Sequence, residues 1–404
     1  MATTLFRNVR VFDGTASATF AADVLVTGNR ITQVSHEPGT LPAAGHSVVE
    51  GGQRTLMPGL VEPHSHLTFP SAVDRIVRDF KPAPERHQFY VAHNAKVMLD
   101  HGFTSAFSGG ATRPAIEVAV RDEIAEGWIP GPRLKASSFE RAIPELDGKR
   151  GGDLEELEKF VTEMTKLGVD SLKLIVSGRG AMEPSHWKQL NYGETELSLV
   201  SRLAAKAGLK VTGHAYTAEA VKLCALNGFH AIYHCNFADS EALDLIEERK
   251  DSIFVAPCVG ILVVDAHERF QSRAEADAIG AFEALEGQCK VIPEMHKRGI
   301  RVLPGGDYGF PWNPVGRNAR DIEHFVTLFG LSPAEALRAA TQYGGQMMGM
   351  GNELGLVKEG YLADLLLVDG DSVADVKILQ DASRLNAIMK DGVFHKAPVS
   401  LSVA

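Results

Sequence analysis

The hydrophobic rhythm of the chain changes twice. At the start, short alternating runs at Leu5–Phe12, Asp23–Thr27 and Arg30–Ser35 are broken by the turn pairs Asp13-Gly14 and Gly28-Asn29. Alternation punctuated in this way predicts strands. From Thr55 onward, apolar runs of strand length alternate with amphipathic helical runs, the pattern of βαβ units on a parallel sheet. The predicted strands are Thr55–Leu60, Phe103–Phe107, Arg133–Ser137, Ser171–Val176, Leu209–Thr212, Ala231–Tyr233, Ile253–Pro257 and Arg301–Pro304. Predicted helices between them include Asp153–Leu167, Ser198–Ala207, Thr217–Asn227, Ser240–Arg249 and Ala274–Arg298. Eight such units closing on themselves make a (β/α)8 barrel, whose reacting groups lie at the C-terminal ends of the strands. Past Gly355 the short-strand rhythm returns, with Ala363–Asp369 and a hairpin over Ala387–Lys396 turning at Asp391-Gly392. The expected architecture is α/β: a TIM-type barrel over 56–354 and a small β-sandwich domain formed by 1–55 and 355–404.

Composition narrows the partners. With 404 residues, 45% of them hydrophobic, the chain can bury one large core and a smaller companion. A formal charge of −10 argues against nucleic acid or an anionic membrane, both of which call for basic surface. No run approaches the roughly 18 apolar residues of a membrane span, and Met1 to Phe20 lacks a signal-peptide pattern. The four cysteines, Cys224, Cys235, Cys258 and Cys289, show no C-x-x-C spacing and read as buried free thiols of a cytoplasmic protein. Cys235 follows a candidate ligand, His234, and strand alternation turns its side chain the other way.

Several polar residues fall where a barrel would use them. In Glu62-Pro63-His64-Ser65-His66, two imidazoles separated by one residue on an extended chain share a face and can grip one ion. Lys173 interrupts the apolar strand Ser171–Val176, and an unpartnered buried ammonium is costly. Either it reaches the barrel mouth or a carboxylate, or its depressed pKa lets it react with CO2 to give an anionic carbamate. His214 ends the fifth predicted strand, His234 the sixth and Asp307 the eighth. Strand ends of one barrel converge on one cup, so these residues would meet. Arg179, His186, Tyr216, Tyr233 and Tyr308 stand at or beyond strand ends and are candidate contacts to a small-molecule substrate. Gly109-Gly110 and Gly305-Gly306 lack a following Lys-Ser/Thr, which excludes a phosphate loop. His93, His101, His267, His296 and His324 read as surface or packing residues.

Leu56-Met57-Pro58-Gly59-Leu60 followed by His64-Ser65-His66, and the stretch from Gly355 to Leu365, resemble the amidohydrolase superfamily over nearly the whole chain. The chain looks most similar to its imidazolonepropionase-like proteins, which include Xaa-Pro-type dipeptidases and ochratoxin-type amidases. The resemblance implies two divalent metal ions, Zn²⁺ with Mn²⁺ or Co²⁺ as alternatives. His64, His66 and Asp307 would hold one and His214 and His234 the other, with carboxylated Lys173 bridging. It implies amide hydrolysis by a metal-bridged hydroxide, with Asp307 as general acid/base, His234 and Lys173 in the catalytic centre, and a homo-oligomer.

Four positions depart from the family pattern. Glu62 stands for Asp, Thr341-Gln342-Tyr343-Gly344 replaces Thr-x-Asn-Pro/Ala, Tyr233 replaces a common Glu, and Ser177-Gly178-Arg179-Gly180 replaces a Gly pair. Two rival readings remain, a mononuclear ring deaminase or cyclic-amide hydrolase and a non-catalytic metal-binding barrel. Ring deaminases carry Glu three residues after the fifth-strand histidine. Here that position is Thr217, which favours cleavage of an acyclic amide.

Overall fold

The computed structural model describes residues 2–15, 18–142, 153–178, 188–399 and 401–403. Where the sequence predicts one strand over Thr55–Leu60, the backbone makes two, Thr55–Pro58 and Leu60–Ser65. Thr55–Pro58 pairs antiparallel with Leu365–Val368 and, at Thr55 and Leu56, parallel with Arg10 and Val11. Leu60–Ser65 pairs in parallel with Phe103–Ser108. Gly59 is the joint, pressed so close to the Thr104 side chain that a Cβ there would overlap it. Within one residue the chain passes from one sheet to another, which sets His64 near the C-terminal end of the first parallel strand.

The parallel strands continue through Phe103–Ser108, Arg133–Lys135, Ser137–Arg141, Ser171–Ile175, Lys210–Thr217, Ala231–Phe237 and Phe254–Ala256. Arg133–Lys135 and Ser137–Arg141 are parted only by Ala136, and there the three-stranded and five-stranded sheets meet. The predicted eighth strand, Arg301–Pro304, is reduced to a single parallel bridge from Val302 to Val255, while Ser65 makes another to Tyr308. These two bridges lay segment 301–308 against both the seventh and the first strand.

Helices lie between the strands as the periodicity predicts. Leu154–Leu167 and Ala218–Leu226 are capped by the Asp153 and Thr217 side chains. The long helix expected over Ala274–Arg298 is two, Arg273–Ala278 and Ala281–Lys297, parted at Gly280 with φ 70°. A left-handed residue cannot continue a right-handed helix, and glycine takes that conformation without strain.

Both ends of the chain enter one nine-stranded sheet. Its core joins Phe6, Val24 and Val26 to Leu365, Leu367 and Met389, and is separate from the larger core around the parallel strands. Among the described residues no helix is long and apolar enough to cross a membrane.

Candidate metal centre

His64, Lys173, His214 and His234 lie on parallel strands, His66 and Asp307 in the turns beside them, and all six are buried. Their polar atoms converge. His66 Nε2 lies 3.2 Å from His64 Nε2 and 2.9 Å from Asp307 Oδ1, and Lys173 Nζ lies 3.0 Å from His64 Nε2. One ligand atom from each of His64, His66 and Asp307 falls within 4.8 Å of the others. The rings of His214 and His234 meet edge to face at 4.1 Å, and His234 meets His64 at 5.8 Å. The fold thus brings together the six residues the sequence singles out.

Neighbours fix how the imidazoles are turned. His66 Nδ1 donates to the Gly110 carbonyl at 2.8 Å, leaving Nε2 for Asp307. His64 Nδ1 faces Cys258 Sγ at 2.7 Å, and that thiol donates to the Ala256 carbonyl at 3.3 Å. With its proton so placed, the sulfur accepts from Nδ1, and His64 Nε2 is left unprotonated and facing Lys173 Nζ. Glu62 is fully buried behind the motif; its Oε1 accepts from the His64 backbone N–H at 3.0 Å and its Oε2 from Asn318 Nδ2 at 2.7 Å. The ring of His64 occupies the space where a Cβ on Gly109 would lie, so only glycine fits beside it.

Four non-glycine residues around this cluster have left-handed backbone: His234 at φ 76°, Cys235 at 55°, Cys258 at 61° and Asp307 at 59°. Such conformations cost on the order of 1 kcal/mol each and persist where surrounding contacts hold them. One contact is Gln288, whose amide donates to the carbonyls of His234 at 3.1 Å and of Pro257. Cys235 is buried with its sulfur on the Ile232 carbonyl; its left-handed backbone departs from the extended strand on which the alternation argument rests.

Burial dominates the electrostatics. Loss of water pushes His214 down to about 3, and it holds His64 and His234 well below the usual imidazole value, with Lys173 adding to all three. Burial alone would lower His66 and raise Asp307. Their hydrogen bond and mutual charge outweigh it, so His66 rises and Asp307 falls. Burial pushes Glu62 up to about 8 against the pull of Asn318 and of the His64 backbone N–H.

Among the described residues, His214 Nε2 and both ring nitrogens of His234 are buried with no hydrogen-bond partner. Buried polar atoms normally find partners. Two bare neutral imidazoles beside a His-His-Asp cluster match the donor set of divalent transition metals, so the residues fit such ions.

The candidate substrate contacts separate. Tyr233 is fully buried, its ring stacked on His64 at 3.9 Å and its hydroxyl donating to the Pro63 carbonyl at 3.1 Å. Tyr308 is also buried and donates to Asp321 Oδ1 at 2.7 Å. Tyr216 is half-buried and stacks on His234 at 4.6 Å. Arg179 and His186 lie outside the described residues. Glu140, Cys258 and Gln288 escape the sequence reading. Glu140 carries a signal, an acid three residues past the predicted end of the third strand, and it stands 3.6 Å from Lys173 Nζ. Cys258 is brought in by a left-handed turn and Gln288 by the helix Ala281–Lys297, neither with a local mark. Of the remaining histidines, His93 pairs with Asp74 and His296 with Glu335.

The amidohydrolase family model matches residues 55–394. The ochratoxinase of Aspergillus niger is 22% identical over 61% of this chain and 50% of its own, so the match spans half the length of that relative. The imidazolonepropionase of Ralstonia nicotianae is 23% identical over 87% of each chain. A crystal structure of a Xaa-Pro dipeptidase with methionine bound in its active site superposes with a TM-score of 0.85. It is 22% identical, over 98% of this chain and all of that one, and the likeness shows a TIM-type fold.

Proposed function

The chain belongs to the amidohydrolase family, and on that footing we propose that it is a metal-dependent hydrolase that cleaves the amide bond of a small N-acyl, dipeptide-like or aryl-amide substrate. The observation that carries this reading is the pair of buried imidazoles, His214 and His234, with unpartnered Nε2 atoms beside the His64–His66–Asp307 cluster. In this reading His64, His66 and Asp307 hold one divalent ion and His214 and His234 a second, Zn²⁺ being preferred over Mn²⁺ or Co²⁺. Bound there, such ions polarise a carbonyl and lower the pKa of water, the two things amide hydrolysis requires.

The chain's own groups do the rest. The Asp307 carboxylate takes the proton of the attacking water and hands it to the leaving nitrogen. Cys258, the Gly110 carbonyl and Glu62 keep the two motif imidazoles turned inward. Tyr216, against His234, borders the space a substrate would enter. The eight strand segments are proposed to close as a (β/α)8 barrel, supported by the bridges at Val302 and Tyr308, with the terminal strands folded as a β-sandwich.

Lys173 admits two readings. As a carbamate it would offer an anionic oxygen ligand to both ions. As an ammonium it stands 3.6 Å from Glu140 Oε1 and 3.0 Å from His64 Nε2. Ring deamination draws less support: Thr217 is committed to capping the helix Ala218–Leu226, and Glu219 is exposed.

Elemental analysis joined to an amide screen tests the reading. The panel is N-acyl amino acids, dipeptides, aryl amides and ureas, assayed with Zn²⁺, Mn²⁺ and Co²⁺. Bound metal with amine release from one class is the expected result. A protein that takes up no metal, or a loaded one inert to every amide, ester and cyclic amide, overturns it.

A further inference from the structure

A cavity of about 350 Å³, within the roughly 300–1,000 Å³ of small-molecule sites, is lined by neighbours of the candidate metal ligands: Phe69 beside His66 and Glu140 beside Lys173. Phe69, Phe80, Phe139 and Phe310 line it together with two cations, Lys81 and Arg113. Phe69 also stacks on His66, with ring centroids 4.3 Å apart, so one wall of the cavity is a ring that packs directly on a candidate ligand histidine. Phe310 and Phe80 meet Phe69 edge-on at 5.0 and 5.7 Å, which makes three sides of an aromatic box. A planar ring inserted there finds edge and face contacts at once.

The cations give the box a second preference. Arg113 Nη1 is buried without a hydrogen-bond partner among the described residues, and neither Arg113 nor Lys81 meets a carboxylate among them within ion-pair distance. A buried guanidinium nitrogen left bare is costly, and an incoming anion removes that cost. Glu140 also lines the cavity, with its Oε1 3.6 Å from Lys173 Nζ, so the anion is assigned to the side of Arg113 and Lys81.

We infer that this cavity is a subsite for a planar aromatic group bearing an anionic substituent, with the ring among Phe69, Phe80 and Phe310 and the anion on Arg113 and Lys81. The inference rests on the hydrolase reading above for its consequence, that the preferred amide carries an aromatic half with a carboxylate. Its binding step stands apart from catalysis.

The test is calorimetric titration of 3-phenylpropionate, 3-phenylpropionamide and propionate into metal-free protein, where no ion can capture the carboxylate. The aromatic acid should bind about tenfold or more tightly than either comparator, the size of one charge-assisted hydrogen bond or one buried ring. Arg113→Gln with Lys81→Gln should erase its advantage over the neutral amide and keep its advantage over propionate. Phe80→Ala should do the reverse. Should Phe80→Ala fail to fold, Phe80→Leu, which keeps apolar volume without a ring, serves in its place. Equal affinity for charged and neutral ligands, or preferences that the variants leave unmoved, overturns the subsite. Amide hydrolysis alongside such a failure leaves the hydrolase reading standing. Selective binding by a protein inert to all amides overturns the hydrolase reading and leaves the subsite.

Discussion

Cys258 and Glu62 act on His64 from two sides, one at the ring and one at the backbone, and only Glu62 lies close to it in sequence. The thiol sulfur accepts the hydrogen bond from Nδ1, so a replacement must also be able to accept one. Cys258→Ser should hold metal near wild-type strength, whereas Cys258→Val should weaken it by about 10–100-fold, the usual scale for partners of ligand histidines. Competition with a chromogenic chelator reads this directly; equal affinities in the two variants count against the role. Asp307→Asn should fold normally and lose kcat by on the order of 10²-fold or more, as removal of an acid–base group does. Near-normal turnover in that variant removes the assignment. The ligand-type residues were legible in the sequence because His214, His234 and Asp307 stand where apolar runs stop, His64 and His66 are one residue apart, and Lys173 is a lone charge inside an apolar run. Glu140 was not, because the third strand runs on to Arg141, past the predicted end at Ser137. Cys258 was hidden for a different reason: its contact joins positions 194 residues apart, through a left-handed turn that nothing local in the sequence requires.

Two helices pin the strand ends. Gln288, on Ala281–Lys297, ties the carbonyls of His234 and Pro257 and so clamps the sixth strand end to the seventh. Gln288→Leu leaves those carbonyls bare and should lower stability by about 1–3 kcal/mol, visible in a urea titration. An unchanged midpoint contradicts the clamp. Glu117, on Pro114–Ala125, accepts from Ser108 Oγ at 3.0 Å and the Ser137 backbone N–H at 2.9 Å, tying the second strand to the third. Burial pushes its carboxyl from 4.5 up to about 7. A folded-state pKa above the unfolded one means that the folded chain binds the extra proton, so this contribution is complete below pH 4.5 and is lost as pH rises through about 7. Glu117→Gln should therefore flatten the fall in stability across that window, measured as the difference between the two proteins' denaturant midpoints against pH. Parallel curves would contradict it. Element types were largely readable from periodicity. The breaks were not: Gly59 and Gly280 each divide an apparently continuous run, and a lone glycine in a run is also compatible with no break at all.

For the whole molecule, an ion held by residues from several strands stabilises only the folded chain. Exhaustive chelation should lower the melting temperature by several degrees, with recovery on adding Zn²⁺, since a ligand at a thousand times its Kd contributes about 4 kcal/mol. Melting indifferent to chelator and to added metal speaks against a resident ion. The terminal sheet has a bearing on how the molecule is made. Its earliest strands share a core with Leu365, Leu367 and Met389, and Thr4 to Arg7 line up on Ser47–Glu50, which in turn pairs with Leu401–Val403. During synthesis, then, Thr55–Pro58 and Ser47–Glu50 are made long before Leu365–Val368 and Leu401–Val403, the strands that pair with them. At about 5–20 residues per second, the roughly 300 residues between Pro58 and Leu365 take tens of seconds to add. Over that interval the nascent chain offers the open edge of Thr55–Pro58 to any passing copy of itself, so crowded polysomes are a setting in which this fold is exposed to misassembly.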